Sequence, residues 1–111
     1  MESLREKLVN ELMALELVLY SSEVQSVIEA EKNLDIKAAL IRERTDVVVA
    51  RVKLENAVLE RISARLKQLE PDLKTGISNL ENEVKKISNT LSILSIINRV
   101  TGLVAKIFLI V

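Results

Sequence analysis

Leucines at Leu4, Leu8, Leu12, Leu15 and Leu19 recur at intervals of three and four, so all lie along one side of a helix. Another apolar set, Met13, Leu17, Tyr20, Val24 and Val27 or Ile28, runs along a different side of the same stretch. This segment reads as a helix over about residues 2–32. A further break is admitted near Ser21-Ser22, because Ser22 and Gln25 have the spacing of a capping box. Asn33 is the expected stop, since asparagine tolerates the left-handed backbone of helix ends, and Asp35 is the expected cap of the next helix.

The pattern resumes with Leu34, Ala38, Ile41, Val48, Val52, Leu59, Ile62, Leu66 and Leu69 at near-heptad spacing, which predicts a helix over 35–69. Val47-Val48-Val49 has strand propensity in isolation, but helical spacing continues on both sides of it. Ile36, Leu40, Val47, Leu54 and Val58 form another face of this helix. Glu70-Pro71-Asp72 is the clearest boundary signal, because proline fits the first helical position and disrupts a helix interior. A third helix over 71–109 follows through Leu73, Ile77, Leu80, Val84, Ile87, Leu91 and Leu94, with Gly102 as an alternative break. Three long segments with short links pack up-down-up, so the expectation is an all-α antiparallel three-helix bundle forming one domain over 1–111.

Composition sharpens this picture. Two Gly and one Pro leave little turn chemistry for a sheet-rich fold. The chain is 49% hydrophobic with one Phe, one Tyr and no Trp, so its core must be aliphatic. With no Cys and no His, disulfides, Cys/His zinc sites and histidine-dependent catalysis are excluded. No glycine-rich loop offers a phosphate cradle. Glu43 with Asp46, and the loose group Glu29, Glu31 and Asp35, are acidic spacings that a chain with 29% charged residues produces as solvated helix faces. The expectation is therefore a protein with no catalytic residues, no cofactor and no metal. Net charge is zero and stacking aromatics are scarce, which argues against nucleic acid as a partner. Met1 to Lys7 mixes acidic and basic groups unlike a secretion signal, so the expected location is cytoplasmic.

Charge also singles out the C-terminal stretch. Every acidic residue precedes Val84, and Lys85, Lys86, Arg99 and Lys106 follow it. Lys85, Ser88, Ser92, Ser95, Arg99, Gly102 and Lys106 make one thin polar stripe on an otherwise apolar helix. A helix apolar over most of its circumference is buried in protein or in a membrane. The primary expectation is an association module: a homo-oligomer, a dimer first, or a complex with another helical protein. Its contact residues are expected to be Ile36, Leu40, Val47, Leu54 and Val58, with Ile93, Ile96, Ile97, Val100, Leu103, Val104, Ile107 and Phe108. The alternative is a peripheral protein whose cationic helix 87–111 lies on a membrane surface, because Arg99 near the centre of that stretch disfavours a simple span.

Overall fold

Ser3 begins the first helix by accepting a hydrogen bond from the Glu6 N–H at 3.2 Å, which satisfies one of the orphan donors of a helix start. A computed structural model describes residues 3–86 and 90–108. Among them are five helices: α1 Leu4–Leu19, α2 Ser22–Ala30, α3 Leu34–Asn56, α4 Leu59–Lys86 and α5 Thr90–Ile107. The all-α expectation stands, and the three-helix division does not. Ile87, Ser88 and Leu109, counted in the predicted last helix, lie outside the described residues.

The first correction is at Tyr20-Ser21. The predicted continuous helix 2–32 is two helices, divided at the break the sequence admitted, with the cap one residue earlier than Ser22. Ser21 accepts from the Val24 N–H at 3.3 Å and so starts α2. At Asn33 the position is as predicted but the roles differ. Asn33 has φ of −79° and is itself the cap of α3, accepting from the Asp35 and Ile36 N–H groups at 3.0 and 3.2 Å. Asp35 instead adds negative charge to the first turn.

The second correction concerns Pro71, which lies inside α4 and not at a boundary. Ile62, Leu66, Leu73, Ile77, Leu80 and Val84 are buried along one side of α4, with Leu69 packed against the same core. Packing of that unbroken stripe holds the helix together through the proline. Pro71 removes the helical donor to the Lys67 carbonyl, and both residues lie on the exposed side of α4. The real break is at Ala57-Val58, where neither Gly nor Pro marks it. Gly102 does not interrupt α5.

Four long helices form a ring in the order α1, α3, α5, α4, with α2 joined to the α1–α3 edge. Arg51 meets Glu16 and Arg5 meets Ala57, so α1 and α3 run antiparallel. Gly76 under Val100 and Asp72 beside Lys106 show the same relation for α4 and α5. Thr90 meets Glu31 and Phe108 lies by Lys53, so α3 and α5 run in parallel. Consecutive helices α3 and α4 thus lie across the bundle from one another. The molecule measures 45 × 29 × 20 Å, and the long axis matches α4, whose 28 residues rise about 42 Å. The core is aliphatic throughout, centred on Leu8, Leu12, Leu15, Val47, Leu54, Leu73, Leu80 and Val100.

The two glycines differ in surroundings. A Cβ on Gly76 would meet Val100 Cγ2 at 3.3 Å, whereas one on Gly102 would meet nothing within 4 Å. Gly102→Ala is expected to raise stability by about 0.5–1 kcal/mol through helix propensity. Gly76→Leu is expected to lower it by about 1–3 kcal/mol through overpacking. Urea titrations followed by circular dichroism measure both, and equal responses at the two sites would contradict the α4–α5 packing.

Candidate interaction surface

The surface is built on α3, which is apolar on two sides. One side carries Leu40, Val47, Ala50 and Leu54, all buried, with Arg44 in their midst. The other carries Leu34, Ile41, Val49 and Val52, exposed at 76%, 46%, 52% and 40%, with Val48 half-buried. The side predicted to face the core is therefore the uncovered one. Its residues kept phase with Ile62 and Leu66 only if the helix ran on past Ala57-Val58. The break there resets the phase, so α4 turns Ile62 inward while Ile41 and Val52 stay outside.

Of the residues predicted to contact a partner, Leu40, Val47, Leu54, Ile93, Ile97, Val100, Val104 and Ile107 lie in the chain's own core. Ile36, Ile96, Leu103 and Phe108 are half-buried and pack against it. Only Val58, in the α3–α4 link, is exposed. Apart from Val58, the predicted contact residues thus pack wholly or partly within one copy, and most of the exposed large apolar residues are others. They extend onto α1 as Met13, Leu17 and Tyr20, exposed at 46%, 78% and 47%. The second apolar set of the first segment was the available signal for them, and heptad spacing from Leu34 to Val52 was the signal for the outer side of α3.

Three contacts fix α1 against α3. Arg44, only 9% exposed, donates to Gln25 Oε1 at 2.8 Å and the Leu19 carbonyl at 3.4 Å, and lies 4.3 Å from the centre of the Tyr20 ring. Its Nε is buried without an acceptor. Arg5 donates to the Ala57 carbonyl at 2.7 Å. Between them, Arg51 binds Glu16 and holds Glu55 at 2.9 Å. Each arginine near a helix end brings positive charge to the negative pole of the other helix. These contacts bring the exposed sides of α1 and α3 onto one face of the bundle.

Two carboxylates nearby are perturbed. The Glu31 carboxylate accepts from the Thr90 hydroxyl at 2.7 Å and from the Asn33 N–H at 3.1 Å, and these bonds hold it below its ordinary pKa. Burial and neighbouring Asp46 push Glu43 above its ordinary value, against the opposing charge of Arg42. With its amide nitrogen facing the carboxylate, Asn98 donates to Glu43 at 2.7 Å and links α3 to α5. Among the described residues no three acidic side chains converge to hold a metal ion. No protein-family model, curated protein or solved structure matches this chain.

Arg44→Ala removes a charged donor from two acceptors and a ring face, and is expected to cost about 3 kcal/mol. A urea midpoint unchanged from the parent would refute the capping role. The carboxylates have opposite signs of linkage. Glu31 contributes stability that is complete above its ordinary pKa of 4.5 and is lost as pH falls through the lower folded value. Glu43 costs stability while ionised, and the cost is relieved as pH falls through its raised value. Denaturation midpoints against pH are expected to show a shallower acid loss for Glu31→Gln. Glu43→Gln is expected to give a gain at neutral pH that shrinks on acidification.

Proposed function

We propose that this protein is a non-enzymatic helical module that acts by association with a second copy of itself, through the outer face of α1 and α3. One observation carries the reading: α3 buries one apolar side within the bundle and leaves another, running from Leu34 to Val52, uncovered. Scattered exposed apolar residues are ordinary on monomers, whereas a contiguous apolar face marks an interaction surface. Zero net charge suits association between identical molecules, since no long-range repulsion opposes it.

The arrangement of α5 favours this reading over membrane binding. By length and composition α5 could cross a bilayer. Its apolar side chains Ile93, Ile97, Val100, Val104 and Ile107 are buried in the bundle, however, and the exposed side presents Ser95, Asn98, Arg99, Gly102 and Lys106, with Leu91 exposed near its start. Lipid contact through those buried side chains would require the bundle to open.

Light scattering coupled to size exclusion at micromolar concentration is expected to give twice the chain mass. Ile41→Glu and Val52→Glu, on exposed positions, are expected to give folded monomers with unchanged helicity. A parent chain that stays monomeric, or charged variants that remain dimers, would remove the proposal.

A further inference from the structure

Along the outer flank of α3, on the side away from α1, lie four exposed charges: Asp35, Arg42, Asp46 and Lys53. At 100° per residue they fall within a narrow band of the helix wheel, beside Val49. Their order is acid, base, acid, base, and their separations of seven, four and seven residues read the same in both directions. Reversing the helix therefore leaves every position in place and changes every sign.

We propose that two copies pair with their α3 helices antiparallel about a two-fold axis at the level of residue 44. This rests on the self-association reading above. In that register Asp35 meets the partner's Lys53, and Arg42 meets the partner's Asp46, each contact occurring twice by symmetry. The same alignment puts Ile41 within one residue of level with the partner's Val48 and Leu34 within two residues of level with the partner's Val52, so the exposed apolar side chains meet close to that register. Parallel pairing without stagger places like charge against like. Arg42 can turn outward: its guanidinium lies 3.9 Å from Glu43 and its side chain is 66% exposed. Lys53 stands 5.6 Å over the Phe108 ring, with its ammonium group at the surface. Charges at the margin select register and orientation, and the apolar stripe between them supplies the affinity.

The test is a charge swap. Arg42→Asp alone sets two acid–acid contacts across the axis, and Asp46→Arg alone sets two base–base contacts. Each variant is expected to self-associate at least about tenfold more weakly than the parent at low salt, with the difference shrinking at high salt. An equimolar mixture of the two variants is expected to form a heterodimer of near-parental affinity, because every facing pair is then opposite in sign. Mixing repairs nothing within a single chain, so recovery reports the intermolecular contacts alone. Sedimentation equilibrium of each variant, the mixture and the parent provides the reading. Single variants that dimerise like the parent, or a mixture that shows no recovery, would overturn the antiparallel register while leaving self-association intact. A monomeric parent would overturn both.

Discussion

Two guanidinium groups terminate the helices that the rest of this molecule is built on. Arg44 of α3 reaches the last carbonyl of α1, and Arg5 of α1 reaches the carbonyl just past the end of α3. Helix ends leave carbonyls without partners, and many helices settle them locally with a glycine in the left-handed conformation. This chain has only two glycines, and both lie inside helices. It ends α1 and α3 by tertiary contact instead. Because the two helices run antiparallel, each supplies the cation for the other's negative pole. Where α1 and α3 end is thus tied to packing, while Ser21 and Asn33 cap the starts of α2 and α3 locally.

That dependence explains which parts of the fold were legible in sequence. The leucine stripe of α1 was legible because burial follows local periodicity, and Leu8, Leu12, Leu15 and Leu19 all lie in the core. The break before α3 was legible because Asn33 carries its own capping chemistry. The break at Ala57-Val58 was not, since no Gly or Pro marks it and the Arg5 side chain that meets the Ala57 carbonyl comes from 52 residues away. Pro71 misled for the complementary reason: it is a strong local signal overruled by the continuous packing stripe from Ile62 to Val84. That spacing runs unbroken through the proline, and it was the better guide.

The candidate surface was lost by the same route. Arg44 sits within the buried side of α3 and makes that side look less like a core stripe than the uncharged one beside it. A reading that prefers the cleaner apolar stripe places α3 the wrong way round. A charge in the stripe marked a tertiary anchor, and the clean stripe was the free surface. The C-terminal helix shows a milder form of the effect. Most of its apolar residues meet α3 and α4, and Ser95, Arg99, Gly102 and Lys106 face outward with Leu91.

Tyr20 gives this organisation an optical consequence. The chain has one tyrosine and no tryptophan, so its ultraviolet emission comes essentially from a single ring. That ring sits at the junction of α1 and α2, beneath the Arg44 guanidinium at 4.3 Å. The molecule therefore carries an intrinsic fluorophore at the point where its helices are held together. Its signal reports on that one junction separately from the helical content of the whole bundle.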